Sequence, residues 1–458
     1  MRKNVVLKFG GTSVSTPEML KQALQITKER FEEAAISVVV SALGGTTNLL
    51  IELAESATLR KDTVEKILQK IEDRHIKQLA SVSSKSSTDE IIPLLSSLKT
   101  EVQQIWERQE CTVQDLDSIM SFGERLSVRI FSAGLQEVGL PAIFADTHTL
   151  VKTDSNFGDA TVDLERSATN LKEIVTTTNG IVVFTGFIGS DTNGTITTIG
   201  RSGSDFTAGL VGYSIDADWV EIWTDVDGVF TTDPNLVKEA LIFDELTYEF
   251  MEIMADNGAK VLHPRTVRPL QLKHTPIIIK NTFNPKAKGT IVRTFKSESN
   301  NKYKQERTTV SIRKNQTFLS VEKLNLHRKK LSEYDFEYLE NNSIQVYYKH
   351  ETNGLVFKSD LKKTKEFQIF SILFDDGSFV KGSQITLITT SELSTIHVNT
   401  IIEQIELYSV QVFGYLFEAS YQISFFVDDK YALDVLKIIH KHYCLPEREY
   451  QTVPSHSL

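Results

Sequence analysis

Short, wholly apolar runs alternate with longer stretches of helical periodicity through the first half of the chain. Val5-Val6-Leu7 and Ser37-Val38-Val39-Val40 have the length and β-branched content of buried strands, and Pro17 to Ala35 between them spaces its apolar residues as a helix does. Strand, helix and strand in that order predict a crossover unit and therefore a largely parallel sheet, an α/β domain. From about Leu59 to Cys111 strand signals give way to polar, helix-like sequence, an expected helical insertion (about 59–120) over one edge of that sheet.

After Ile291-Val292 the pattern breaks. Lys296 to Arg307 is charged and without apolar periodicity, which predicts a linker over 296–307. Beyond it, a strand at Thr317–Val321, a helix at Leu331–Leu339 and a strand at Ile344–Tyr348 are followed by a partial recurrence. That second series is a strand at Ile385–Thr389, a helix at Val398–Leu407, strands at Val410–Phe413 and Ile423–Val427, and a helix at Ala432–His442. Two small β-α-β-β modules over 308–458 are expected, an arrangement suited to a sensor or an oligomer interface.

Composition narrows the field. A chain of 458 residues with 40% apolar and 24% charged residues can bury real cores. The opening segment reaches Lys8 after three apolar residues, too few for a secretory signal, so a soluble, cytoplasmic protein is the expectation. Two cysteines, Cys111 and Cys444, lack metal-ligand spacing and indicate neither a disulfide framework nor a metal site. The formal charge of −10 argues against nucleic acid or an anionic membrane as partner. A phosphate site would have to be built locally, from backbone N–H groups and a few cations.

Three glycine turns supply such groups. Lys8-Phe9-Gly10-Gly11-Thr12-Ser13 joins the first strand to the first helix, so backbone amides can approach an anion at the helix N-terminus with Lys8 beside it. Ser41-Ala42-Leu43-Gly44-Gly45-Thr46-Thr47-Asn48 repeats that arrangement, and Gly200-Arg201-Ser202-Gly203-Ser204-Asp205 adds an arginine for carboxylate binding and an aspartate. Turns of this kind converge at the carboxyl edge of an open sheet, where ligands bind. Neither a Walker A pattern nor G-x-G-x-x-G occurs, which removes the P-loop and dinucleotide readings. Trp223 to Pro234, with aspartates at 225, 227 and 233, is either a nucleoside-binding loop or a plain Asp-rich turn, and Gly258 to Pro264 offers a further lysine.

Together with Gly123-Glu124, Phe187-Ile188-Gly189 and Thr197-Thr198-Ile199-Gly200-Arg201, these segments resemble, in order and spacing, the aspartate kinase family over about the first 295 residues. The resemblance implies an amino-acid kinase fold, a three-layer αβα sandwich with a mainly parallel sheet (1–295), followed by paired ACT-like βαββαβ modules that mediate homodimerisation and answer to an amino-acid effector. It implies transfer of the γ-phosphoryl group of Mg-ATP to L-aspartate, with Mg²⁺ arriving on the nucleotide and no resident metal. Residue by residue, it implies Lys8 and Asp205 as the catalytic pair. It places Lys8, Gly10, Gly11, Ser41, Gly45, Thr224, Asp225, Phe230, Asn235, Lys260 and Val261 on ATP. Thr47, Glu124, Phe187, Arg201 and Ser204 fall on the acceptor, Arg201 holding its α-carboxylate and Glu124 its ammonium.

The chain departs from the family pattern at Ser202, where glycine is common, at Phe230, where a phenol is, and at Asn235, where an arginine is frequent. The first two remove no catalytic charge, whereas Asn235 implies an altered ATP affinity. His327 to Leu331 and Tyr347 to Thr352 replace the residues that lysine-sensing members use, which implies lost lysine feedback or another effector. A kinase of glutamate and a non-catalytic amino-acid sensor on the same fold are the alternatives. The free α-amino acid site formed by Arg201 and Glu124 weighs against an acylated acceptor, and the retained Lys8, Asp205 and Lys260 weigh against a sensor.

Overall fold

The computed structural model describes residues 2–84, 88–259, 262, 264–294, 307–319, 344–349, 352–357, 379–419 and 421–445. The chain forms two compact units. The first comprises Met1–Val229, Phe243–Glu252 and Leu262–Lys296, and the second Phe230–Ile242, Ile253–Val261 and Ser297–Leu458.

In the first unit the apolar runs become strands β1 (Asn4–Phe9), β2 (Ala35–Val40), β3 (Ala142–Ala145), β4 (Ile181–Thr185), β7 (Trp219–Thr224) and β9 (Ile277–Asn281). They lie in the order β3-β4-β2-β1-β7-β9, all parallel; β10 (Thr290–Val292) runs antiparallel to β9, and β8 (Glu245–Leu246) closes the sheet beside it. Every residue of β1 and β2 after the first is buried, as helices on both faces require. A short antiparallel hairpin, β5 (Ile188–Ser190) with β6 (Ile196–Thr198), lies outside the sheet.

Local chemistry sets the helix limits. Helix α1 (Pro17–Glu33) starts where the Thr16 hydroxyl accepts the Met19 N–H and Pro17 occupies the first turn, and it ends at Ala34, whose extended backbone leads into β2. Helices α2 (Thr46–Thr58), α3 (Val64–Val82) and α4 (Thr88–Arg108) lead to α5 (Val113–Glu137), which opens with a Thr112–Asp115 capping box. These five cover one face of the sheet around a core in which Phe9 packs on Phe131 and Trp223, ring centroids 5.4 and 6.2 Å away. A buried aromatic of this kind contributes about 3–5 kcal/mol when judged by truncation to alanine. The opposite face carries α6 (Leu164–Thr177), α7 (Gly203–Ser214) and α9 (Pro264–Leu272), with α8 (Tyr248–Asp256) preceding α9 in the chain. The result is the expected three-layer sandwich. Among the described residues no helix is long and apolar enough to cross a membrane.

The second unit is antiparallel. Strands β11 (Thr308–Leu319), β12 (Ile344–Lys349), β13 (Thr352–Phe357), β14 (Phe379–Thr389), β15 (Val412–Ala419) and β16 (Gln422–Val427) pair in the closed order β11-β13-β12-β15-β16-β14. Helices α10 (Thr395–Glu406) and α11 (Ala432–Tyr443) bury Val398, Ile401, Val435 and Ile439 in one core with Val310, Ile385 and Phe425. The run β14-α10-β15-β16-α11 is the anticipated recurrent module. His440 on α11 is buried, its Nε2 lying 2.9 Å from the Thr231 hydroxyl. The linker expected over 296–307 (Arg307 apart) and the helix expected at 331–339 fall outside the described residues.

Candidate functional site

A cleft of about 500 Å³ in the first unit opens where β1 and β2 end, and the glycine turns form its walls. Lys8, Gly11, Ser41, Gly45, Thr47, Glu124, Phe187, Arg201, Ser204 and Asp205 all line it. Residues expected on the acceptor and on the phosphates thus meet in one place, although nearly two hundred positions separate the first from the last.

The turns interlock through their backbones. The Gly44 N–H donates to the Gly11 carbonyl at 2.9 Å, and a Cβ at Gly11 would stand 2.8 Å from the Ala42 carbonyl oxygen, so the first two turns approach this closely only because residue 11 is glycine. The Gly10 N–H and the Ser13 hydroxyl both donate to the Trp223 carbonyl, at 3.2 and 3.1 Å, which fastens the first turn to the end of β7. Gly45, with φ of +81°, caps α2 and directs that helix's positive end at the cleft.

Charge in the cleft is arranged in two groups. The Lys8 ammonium and the Asp205 carboxylate form an ion pair with only 10% and 16% of their side chains exposed. Glu124 is 4% exposed; its Oε1 accepts the Ala42 N–H at 3.2 Å, while Oε2 has no hydrogen-bond partner among the described residues. Burial pushes the Glu124 carboxyl up to about 8, against the opposing pull of the Ala42 N–H, its own backbone N–H and the Lys8 charge. Arg201 stands exposed on the third turn. A buried acid, an accessible guanidinium and a lysine suit a ligand carrying an ammonium and carboxylates.

Two side chains hold left-handed backbone at the cleft wall. Phe187 has φ of +70° and Ser202 of +60°. The Phe187 N–H donates to the Thr207 hydroxyl at 3.2 Å, whereas Ser202, although the cap residue of α7, makes no side-chain cap bond. Left-handed backbone costs a non-glycine residue about 1–2 kcal/mol, and a serine that caps nothing offsets none of it. Ser202→Gly is therefore expected to stabilise the first unit by about 0.5–1 kcal/mol, read as a higher urea midpoint at unchanged slope.

The remaining expected nucleotide residues lie elsewhere or beyond description. Gly10 adjoins the cleft lysine, its Cβ position 3.6 Å from Lys8 Nζ. Thr224 ends β7 in the first unit and Asp225 opens the loop after it, whose Asp227 accepts from Asn281 at 2.8 Å and Asn284 at 3.2 Å. Phe230 and Asn235 belong to the second unit, where Phe230 bridges Ile242 and the Asn235 N–H donates to Asp233 at 2.9 Å. Lys260 and Val261 lie outside the described residues.

Sequence reasoning passed over Met120 and Gly158 and gave Thr198 no role, although all three line the cleft, and it passed over Asp117, which stands behind it. Asp117 lies seven residues before Glu124, hence on the same face of α5, and that spacing was the available signal.

Comparison with known proteins gives a consistent picture. The model of the amino acid kinase family matches residues 3–281. The lysine-sensitive aspartokinase 3 of Escherichia coli is 32% identical over 399 residues, 86% of this chain and 83% of that protein. The chloroplastic aspartokinase 1 of Arabidopsis thaliana is 32% identical over 324 residues, 69% of this chain but 56% of that longer protein. Among solved structures, E. coli aspartokinase III in complex with aspartate and ADP superposes with a TM-score of 0.79 at 27% identity, covering 97% of this chain and 100% of that one.

Proposed function

The chain belongs to the amino acid kinase family, in its aspartokinase branch, and on that premise we propose that it transfers the γ-phosphoryl group of ATP to the side-chain carboxylate of L-aspartate, giving ADP and 4-phospho-L-aspartate. The observation that carries the reading is the convergence of the Lys8–Asp205 pair, buried Glu124 and Arg201 on one cleft of one compact unit.

In this reading Arg201 takes the α-carboxylate of the acceptor as a planar, bidentate partner, and Glu124 takes its ammonium, using the oxygen that lacks a partner among the described residues. Thr47, Phe187 and Ser204 shape the rest of that pocket. The side-chain carboxylate is thereby held toward Lys8. No general base is required, because the attacking oxygen is already an anion; the barrier falls through in-line positioning and charge neutralisation. Lys8 supplies positive charge to the equatorial oxygens as the transferring group loosens, and Asp205 fixes the lysine's direction. Amides of the turns at Gly11 and Gly45, with the N-terminus of α2, complete the phosphate cradle, whereas the Gly10 and Ser41 N–H groups, expected there too, donate to the Trp223 and Phe9 carbonyls at 3.2 and 3.1 Å. Mg²⁺ would arrive on the nucleotide and help to neutralise its phosphate charge.

In the first unit the nucleoside falls to Thr224 and Asp225, and Asn235 stands where the family often has an arginine. Asn235→Arg is expected to lower the KM for ATP by about threefold to tenfold, the effect of one added phosphate or ribose contact, while the KM for aspartate stays put; initial rates at varied ATP decide it. The C-terminal modules over 308–458 are assigned to homodimerisation and effector binding, and sedimentation at micromolar concentration tests the dimer.

Incubation with Mg-ATP and either aspartate or glutamate, with hydroxylamine to trap an acyl phosphate, tests the reaction itself. Aspartate-dependent hydroxamate is the expected result. Product with glutamate alone would change the substrate, and product with neither would overturn the reading.

A further inference from the structure

We propose that Asp117 is a positioning residue that fixes the spacing between Glu124 and Arg201, and through it the length of acidic acceptor the cleft accepts. The inference rests on aspartate being the acceptor and adds what sets the choice of chain length.

Asp117 is wholly buried. Its Oδ2 accepts the Gly158 N–H at 2.9 Å and the Thr198 N–H at 2.8 Å, and its Oδ1 accepts the Thr198 hydroxyl at 2.7 Å. Gly158 and Thr198 both line the cleft. Thr198 ends β6, and the next residues, Ile199 and Gly200, lead straight into Arg201. Because β6 pairs with β5 in a hairpin outside the eight-stranded sheet, the ladder that registers β1 and β2 does not register the Arg201 turn. Backbone bonds tie its root to neighbouring segments, the Ile199 N–H donating to the Phe187 carbonyl and the Ala160 N–H to the Thr198 carbonyl, both at 2.9 Å, and side-chain bonds tie it to the helical layer. Asp117 supplies two of the latter, to the Thr198 N–H and hydroxyl, and a third to the neighbouring Gly158, from α5, the helix that carries Glu124 on the same face two turns later.

One rigid helix therefore holds Glu124 directly and the root of the Arg201 turn through Asp117. If these two groups grip the acceptor's ammonium and α-carboxylate, their separation dictates how far its side chain reaches toward Lys8. Aspartate and glutamate differ there by one methylene, a difference that a rigid pocket turns into about 10- to 200-fold discrimination. A loosened tie would let the turn drift, weakening the aspartate grip and tolerating the longer acid.

The test is steady-state kinetics on the full chain with three substitutions. Asp117→Ala removes all three acceptor contacts, and Thr198→Val removes the hydroxyl alone. Asp117→Asn keeps the set, since its oxygen can accept both N–H groups while its amide donates to a rotated Thr198 hydroxyl. The expected pattern is a KM for aspartate raised about tenfold or more in Asp117→Ala and a few-fold in Thr198→Val, with the KM for ATP unchanged within about twofold and Asp117→Asn close to the parent. The inhibition constant of L-glutamate, divided by the KM for aspartate, should fall in step. The proposal is overturned if the ATP and aspartate parameters shift together, if the glutamate-to-aspartate ratio stays constant, or if Asp117→Asn is as impaired as Asp117→Ala. Should Asp117→Ala not fold, Thr198→Val decides by the same criteria. Absence of aspartate-dependent turnover in the parent chain would overturn the reaction itself, and it is recognised before any substitution is made.

Discussion

Lys8→Ala is expected to reduce kcat for aspartate phosphorylation by at least about a thousandfold, the scale on which removal of preorganised charge from a phosphoryl-transfer site acts, while leaving the fold intact. The lysine is the cation at the point where β1 ends, 8% exposed, and its contact with Asp205 holds it in place. Charge positioned in this way needs no reorganisation as the phosphoryl group loosens, so its loss falls on kcat rather than on the KM for either substrate. Asp205→Ala should cost nearly as much, because an untethered lysine can turn away from the reacting centre. The double variant should be little worse than either single one, as groups acting as a unit are not additive. Hydroxamate formation and ADP release, compared across the two singles and the double, check this. Additive losses would mean that the lysine and the aspartate act independently. Lys8→Arg should recover little, since a planar guanidinium cannot take the point-charge position of an ammonium.

The place of Lys8 at a cleft was legible because parallel strands advertise themselves. Val5 to Leu7 and Val38 to Val40 are apolar without interruption since both of their faces are covered, and the polar residue that ends such a run marks the ligand edge of the sheet. The glycines that follow are there for a physical reason visible in sequence: only they permit the contact between the turns at Gly11 and Ala42. The start of α1 at Pro17 was legible for the same kind of local reason, whereas its end, expected at Ala35, comes at Glu33 because Ala35 already pairs with Asn4 in the sheet.

Features fixed by distant partners were not. The β5–β6 hairpin is only three residues on each side and largely polar, with Ser190, Thr197 and Thr198 buried by hydrogen bonds instead of hydrophobicity, so no alternation reveals it. Asp117 reads in sequence as one more solvated helix residue, because the N–H groups that satisfy it come from positions 158 and 198. Glu124 taken alone invites the same bland reading, yet it is buried against the second glycine turn. Composition places acids on surfaces on average; a loop that brings N–H groups to a helix reverses that average locally, and the helix itself reports only that Asp117 and Glu124 share a face.

That burial gives Glu124 a pH signature. With its carboxyl raised by burial to about 8, the residue is mostly protonated at neutral pH and cannot pair with the acceptor's ammonium until the proton leaves. Aspartate binding should therefore release a proton, and the KM for aspartate should fall by up to tenfold per pH unit between about 6 and 8 before levelling. Stability moves the other way. Between the ordinary carboxyl value of 4.5 and about 8, the folded state holds a proton that the unfolded state has lost, so the unliganded protein should become less stable as pH rises through that window. Glu124→Gln is the discriminating variant. It keeps an oxygen to accept the Ala42 N–H but never carries charge, so both slopes should vanish while the KM for aspartate rises by about 10- to 100-fold, the loss of one buried charge-assisted contact. KM for aspartate and the urea midpoint, each measured from pH 5.5 to 8.5 in parent and variant, give the answer. A KM profile that keeps its slope in Glu124→Gln would assign the titration to another group and remove Glu124 from the ammonium.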